Sequence, residues 1–289
     1  MYSPTDFRPD LRRRPVTLIA CIGMGAAAVF AFGLPLVLAG YVALGVLRTE
    51  LPPGMFTAGA EHSLLPMIAT SVLLVGLTLL LAVPVGIAAA VYLSAYSRRG
   101  RLHRMVQLTV DTLAGIPPIL YGLYGLFVFS RALGMRQSIL AGACTLAVMI
   151  LPVIIRSVEA ALAAVPDGLR HGGRALGASG WQVLFRLLLP HAAPGILAAV
   201  LRSIARIIGE AAPVLLTVGV ARNLPQGLLH SGRTLSVHLY FTAQEAVQPQ
   251  EHGVVFVTAA SLLLVTAAVH GAARLLRNRM NTRRGNDEA

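Results

Sequence analysis

Two long stretches of this chain, residues 15–47 and 63–97, contain no Asp, Glu, Lys or Arg. Each exceeds the ~20 apolar residues that cross a bilayer core as a helix. No water is available in lipid to satisfy backbone N–H and C=O groups, so a stretch of this kind closes its own hydrogen bonds as a helix. Four further runs, at 113–130, 138–155, 194–220 and 253–273, are predominantly apolar and are further candidates for spans. The pattern predicts an all-α integral membrane protein with six transmembrane helices. Composition agrees: 56% of residues are hydrophobic, 12% are charged and mean hydropathy is +0.71. A soluble domain carries about twice that share of charge, which excludes a cytosolic enzyme. The first run is too long for a signal-peptide core and no clear cleavage site follows it, so it reads as a retained helix.

The charge is distributed unusually. Net charge is +12, and all 24 basic residues are arginine. Without lysine the chain can form neither a P-loop nor a Schiff base. If its work consumes ATP, another subunit must bind the nucleotide. The arginines cluster at the ends of apolar runs rather than on one polar face, which removes nucleic acid as a partner. Arg8, Arg12, Arg13, Arg14, Arg98, Arg99, Arg101, Arg104, Arg156, Arg170, Arg174 and Arg186 fall on one side of a six-span layout. Arg274, Arg277, Arg279, Arg283 and Arg284 join them. The other side holds only Arg48, Arg131, Arg136, Arg222 and Arg233. The positive-inside rule then predicts both termini in the cytoplasm. The expected organisation is a cytoplasmic N-terminal segment 1–16, a six-helix domain 17–277 and a cytoplasmic tail 278–289 that reads as disordered. Within the domain lie a long cytoplasmic loop at 158–191 and a polar outer connection at 221–252. Cys21 and Cys144 fall inside apolar runs and read as free thiols.

Charges within the spans are the candidates for function. Arg202, Arg206 and Glu210 stand at i, i+4 and i+8 on one face of the fifth span. Each costs ~2.5–3.5 kcal/mol at mid-bilayer on insertion scales, so the stripe must face protein or a watery path. Two readings stand: a structural Arg206–Glu210 pair, or a polar element of a solute pathway in which arginine suits an oxyanion. Asp111, at the inner end of the third span, is either an interfacial residue or the partner of an arginine elsewhere in the bundle. Arg156 and Glu159, spaced i, i+3, form a candidate pair at the inner end of the fourth span. Gly115-Ile116-Pro117-Pro118 breaks the third span, since proline removes a backbone donor. Tyr121, Gly122, Tyr124 and Gly125 then suit close helix approach.

The segment 168–190 reads as a short helix, a turn near 177–180, and a second helix that stops at Pro190. Small residues (Gly172, Gly173, Ala175, Gly177, Ala178) invite another surface, either a protein partner or lipid headgroups. Gly23-Met24-Gly25-Ala26-Ala27-Ala28 fits a loose dinucleotide fingerprint but has no preceding strand, and reads as helix packing. No catalytic set, metal-ligand set or cofactor motif emerges.

Several of these segments resemble a known family. Ala175-Leu176-Gly177-Ala178, Trp181-Gln182 and Leu189-Pro190 resemble the cytoplasmic EAA loop of ABC importer permeases. Leu151-Pro152, Ile155-Arg156, Glu159-Ala160 and Ala164-Val165-Pro166 resemble the segment before it in phosphate permeases. Ala114-Gly115-Ile116-Pro117, Tyr121-Gly122-Leu123 and Gly125-Leu126 are similar to that family's third-span motif. Arg206, Gly209-Glu210 and Ala212-Pro213 are similar to its Arg-x-x-Gly-Glu-x-Ala-Pro signature, and Tyr92-Leu93-Ser94 ends the second span as it does there. The resemblance covers about residues 64–240 and points to the A-type permease of the phosphate-specific ABC importer.

It implies a type I importer permease fold in the bacterial plasma (inner) membrane, paired with a homologous C-type permease as a heterodimer. Two cytoplasmic ATPase subunits and an extracytoplasmic phosphate-binding protein would serve the pair, with inorganic phosphate as cargo and no cofactor. Arg202, Arg206, Glu210 and Asp111 would belong to the translocation pathway. His171, Gly172, Gly173, Ala175, Gly177 and Ala178 would couple to the ATPase. The sequence departs from the family pattern in three places. His171-Gly172 replaces glutamate–alanine, Pro118 replaces serine, and Ser236-Val237-His238-Leu239-Tyr240 follows only loosely the outer Pro-Val-Gln-Ile-Tyr pattern. Another oxyanion, such as tungstate, molybdate or sulfate, is the alternative cargo.

Overall fold

The computed structural model describes residues 15–49, 54–57, 63–96, 100–246 and 252–287. All regular structure among them is helical. The expected 1–16 segment falls largely outside the described residues, as do Arg98, Arg99 and residues 247–251 of the outer connection.

The molecule is built around α5 (Ile139–Ala163), which is apolar all round until Arg156 and Glu159 near its end, and two-thirds of its apolar stretch is buried. A helix without a polar face belongs inside. Leu146, Ile150, Ile154, Val158 and Leu162 are buried along it. Ser138 caps it, its Oγ accepting the Ala141 N–H at 3.2 Å. Two more N-terminal donors are met from far away in sequence: Ile139 N–H reaches the His230 carbonyl at 3.1 Å and Leu140 N–H the Leu228 carbonyl at 2.9 Å.

Around α5 pack α2 (Leu65–Val91), which continues through a wider π-type turn over Tyr92–Tyr96, and α8 (Leu189–Gly209). At the periphery α1 (Pro15–Arg48) lies along α11 (His252–Asp287), with Tyr41 edge-on to Phe256 at 5.5 Å. Only 6% of the α1 span is buried, and Gly23 and Gly25 meet nothing within 4 Å, so the glycines expected to serve helix packing find no partner among the described residues.

Among the described residues five helices are long and apolar enough to cross a membrane, and they become six if one bent pair, His103–Ala114 with Pro118–Ala132, counts as a single span. Here the fold departs from the sequence reading of the third span. Residues 113–117 do not continue as a straight helix into 118–130. Instead α3 (Arg101–Ala114) ends at Gly115, and the chain turns by 101° into α4 (Pro118–Gly125), which continues through π-type turns to Ala132. Pro117, at φ −58° and ψ 138°, cannot continue α3. Tyr121 braces the elbow by donating its hydroxyl to the Leu113 carbonyl at 2.7 Å.

Four other expectations are corrected. The fifth span does not run unbroken from 194 to 220: α8 stops at Gly209, Glu210 is extended (φ −78°, ψ 123°), and α9 (Ala212–Thr217) starts afresh. Pro213 in the first turn of α9 supplies no donor to the preceding helix, which forces the break. The chain does not stop at Pro190, because the helical path runs from Gly180 to Gly209. The π-type turns of Val183–Leu188 shift the hydrogen-bond register just before that proline. The outer connection 221–252 is not simply polar loop: it contains α10 (Leu235–Glu245), whose first turn is buried. Finally, the tail is helical to Asp287, since no proline falls within α11 to stop its propagation.

Candidate functional site

The break after Gly209 creates the first polar site. Arg202, Arg206 and Gly209 line one side of α8, while Ala199, Ser203 and Ile207 face the core. Ser203 returns its hydroxyl to the Ala199 carbonyl at 3.0 Å, so the buried side of α8 presents no unsatisfied donor there. Arg202 is exposed, and Arg206 is 37% exposed with its Nε 3.5 Å from Glu210 Oε1. Glu210 is the more sheltered partner at 17%. Its freed backbone carbonyl accepts the Ser236 hydroxyl of α10 at 2.8 Å, and Leu235 N–H of α10 reaches Ser71 Oγ of α2 at 3.0 Å. The buried first turn of α10 therefore props the break open. The sequence named Ser236 only as part of the loosely matched 236–240 pattern and gave it no partner, because a serine in a polar connection carries no local signal of a contact 26 residues away. Beside the break, Ile119, Ala211, Ala212, Leu215, Leu216, Val237 and Tyr240 line an apolar cavity of ≈ 300 Å³.

A second polar site lies where the elbow meets α5. Arg156 Nε donates to Asp111 Oδ1 at 3.0 Å, its Nη1 to Glu159 Oε2 at 3.3 Å, and its Nη2 to the Gln107 carbonyl at 3.3 Å. One guanidinium thus binds α3 to α5 through the Asp111 carboxylate and the Gln107 carbonyl, while Glu159, on α5 itself, holds its Nη1. Of the two alternatives open for Asp111, the geometry supplies the arginine partner, and it groups Asp111 with Arg156 and Glu159 rather than with the α8 stripe. A cavity of ≈ 600 Å³ extends from this cluster past Ser94, His103 and Gln107 to Asp167 and Arg170. Arg170 in turn donates to the Leu162 carbonyl at 3.3 Å.

The third site is the loop between α5 and α8. Its leading helix, α6 (Asp167–Ala175), ends in a left-handed turn: Gly177 has φ +81°, Gly177 N–H bonds the Arg174 carbonyl at 3.0 Å, and Ala178 N–H bonds the Gly173 carbonyl at 3.1 Å. This paired closure needs a residue without a Cβ penalty. Ser179 and Gln182 then cap α7 (Gly180–Gln182), the short helix that opens the path into α8, reciprocally. His171, Gly172, Ala175 and Gly177 are exposed and Ala178 is half-buried. Gly173 is buried, against Leu187 and Val183, so it seats α6 on its own chain rather than offering it outward. Leu176, at the tip, is 90% exposed, and Trp181 and Phe185 stack nearby with centroids 4.0 Å apart. An apolar tip among small and polar residues was the signal to look for.

On the opposite flank Arg233 is buried, with Nε donating to the Val220 carbonyl at 3.1 Å and its cation 4.8 Å from the Phe241 ring centroid. Burial, with the repulsion of Arg222, lowers its pKa, and Glu245 partly opposes this. Among the described residues no three His, Cys, Asp or Glu side chains converge as a metal site, and Cys21 and Cys144 are free.

Residues 82–282 match the family of binding-protein-dependent transport system inner membrane components. The phosphate transport system permease protein PstA 1 of Mycobacterium tuberculosis (strain H37Rv) is 37% identical over 233 residues, which is 80% of this chain and 73% of that protein. The corresponding PstA of Mycobacterium leprae is 37% identical over 213 residues, 74% of this chain and 68% of the relative. Among solved structures, a chain of the alginate ABC transporter superposes with TM-score 0.70, covering 91% of this chain and 95% of its own, at 14% identity. A chain of the inward-facing MetNI methionine ABC transporter gives 0.57, covering 74% and 92%, at 24% identity. At those identities the structures speak to the fold, which is that of ABC importer permeases.

Proposed function

The chain belongs to the binding-protein-dependent transport inner membrane family, and from that premise we propose that it is the permease subunit of an ATP-driven importer whose cargo is inorganic phosphate. It is a transport subunit rather than an enzyme, and ATP hydrolysis belongs to its partners. The observation that carries the reading is the Arg202–Arg206–Glu210 stripe at the break between α8 and α9. In a single subunit that stripe is partly uncovered, which lipid would not tolerate. A homologous permease covering it would turn it into the wall of a shared path. Two arginines and one carboxylate leave that wall a net positive charge, suited to a multiply hydrogen-bonding oxyanion. The phosphate permeases at 37% identity favour phosphate over tungstate, molybdate or sulfate.

In this reading the termini and the 158–191 loop face the cytoplasm of a bacterial inner membrane, with 17–277 as the permease domain between a short leading segment and the tail. ATP binding by two cytoplasmic ATPase subunits presses on α6 through Leu176 and its neighbours. The Asp111–Arg156–Glu159 cluster, joined to α6 by the cavity reaching Asp167 and Arg170, carries that movement to α3 and the elbow. At the far end an extracytoplasmic phosphate-binding protein delivers cargo. Binding energy for the anion comes from Arg206 once Glu210 releases it, so the pair sets a low resting affinity that opening can raise.

Micromolar uptake of radiolabelled phosphate, compared between cells lacking this subunit and cells given it back, tests the assignment. Restoration blocked by arsenate but not by tungstate or sulfate is the expected result, with Arg206→Gln and Glu210→Gln assembled yet inactive. Block by tungstate or sulfate would change the cargo. Normal uptake by either variant would remove the stripe from the path, and no restoration by an assembled wild-type complex would refute transport.

A further inference from the structure

α3 has a feature that transport leaves unused. It leaves α4 at 101°, so when α4 crosses the bilayer α3 lies along the membrane surface. Its inner face is fixed, with Val110 buried and Asp111 tied to Arg156. Its outer face carries Arg101, Arg104, Met105, Leu108 and Thr112, spaced so that all five share one side of a helix. Met105 is 64% exposed and Leu108 67% exposed. A groove of ≈ 870 Å³ runs beside this face, bounded by Gly100, Arg101, His103, Arg104, Met105 and Gln107. Cations and polar donors therefore line a concave surface that opens directly onto exposed apolar side chains.

We propose that this face is a binding site for an anionic phospholipid, the headgroup phosphate held by Arg101 and Arg104 and an acyl chain laid on Met105 and Leu108. The occupant follows from complementarity at both ends. A soluble anion would leave Met105 and Leu108 in water, while an apolar protein helix would leave the two arginines without counter-charge. A lipid with a negative headgroup satisfies both, and arginine stems can cover apolar surface while their heads reach the phosphates. The proposal rests on the membrane placement of the helices and not on the identity of the cargo.

The test uses the intact transporter complex, with Trp181→Phe removing this subunit's single native tryptophan and Leu108→Trp placing a reporter on the face. In phosphatidylcholine nanodiscs carrying increasing brominated phosphatidylglycerol, fluorescence of the introduced indole is quenched at a low fraction of the anionic lipid. Each arginine near an anionic surface contributes about fivefold, so Arg101→Gln with Arg104→Gln shifts half-quenching by about 25-fold, while the Arg→Lys pair retains it. Retention of phosphatidylglycerol through native mass spectrometry of the otherwise wild-type complex, and its loss in the Gln pair, gives a second readout free of the tryptophan. Equal quenching by brominated phosphatidylcholine, or no change on the Gln substitutions, overturns the proposal. Displacement of the lipid by millimolar inorganic phosphate would reassign the groove to free anion. Protection of the reporter by the ATPase subunits, without lipid dependence, would reassign it to protein.

Discussion

Substituting Gly122 by alanine tests whether the elbow span and the broken span are in as tight contact as the geometry shows. A Cβ built at Gly122 falls 2.8 Å from Pro213 Cα and 2.9 Å from Leu216 Cδ1. Favourable carbon contacts lie near ~3.5–4.0 Å, so α4 and α9 must separate by several tenths of an ångström to about 1 Å. The leucine can rotate away, but the Pro213 backbone cannot. Overpacking of this kind costs about 1–3 kcal/mol. Alanine also regains ~0.8–1 kcal/mol of helix propensity, which would mask part of the effect. Gly76→Ala, on an exposed face of α2 with nothing within 4 Å of its Cβ, shares the propensity gain without the clash. The difference between the two variants isolates the contact. Apparent melting points of the purified complex, read by size-exclusion after heating, should place Gly122→Ala below Gly76→Ala, with Leu216→Ala restoring only part of the gap. Because Pro213 starts the helix after Glu210, phosphate uptake should fall in Gly122→Ala alone. Identical melting and uptake for the two variants would refute the close approach and the link between elbow and break.

Other expectations follow from single contacts. Asp111→Asn removes the charged tie from α3 to Arg156, and since Asp111 is 63% exposed the loss is ~1 kcal/mol or less. Hydrogen exchange should accelerate over 101–114 with little change in α5, and unchanged exchange would show the tie is idle. Gly177→Val forces a β-branched residue to φ +81° and should destabilise the loop by at least ~1–2 kcal/mol. Pull-down of the ATPase subunits should weaken, and full retention would mean the turn is not needed for docking. Leu176→Asp, exposed at the tip, should weaken the same pull-down without lowering the melting point; a fall in melting with intact binding would assign Leu176 to the fold. Arg233→Met keeps the stem against Phe241 and removes a buried Nη1 that has no hydrogen-bond partner, at the loss of one bond to Val220. The melting point should stay level or rise, whereas a clear drop would show that the carbonyl and ring contacts outweigh the orphaned donor.

The sequence alone determined that the chain is helical and lies in a membrane, because uncharged runs of this length leave the backbone no other way to satisfy itself in lipid. It also marked Arg206–Glu210 and Arg156–Glu159, since helical spacing fixes which side chains can meet. Pro117 announced a break through the chemistry of proline. What spacing could not supply was direction and depth. The 101° elbow, the interruption before Pro213, the helical path continuing past Pro190 and the buried first turn of α10 depend on which surfaces pack together. The partnership of Asp111 with Arg156 joins residues 45 apart in sequence, and Ser236 reaches Glu210 from a loosely matched outer segment whose pattern named no partner. Gly173 and Gly177 look alike in the sequence, yet one is pressed against Leu187 and the other turns the chain in open space. Local covalent geometry and the solvent decide what a segment becomes, while the tertiary fold decides which of its faces is left for a partner.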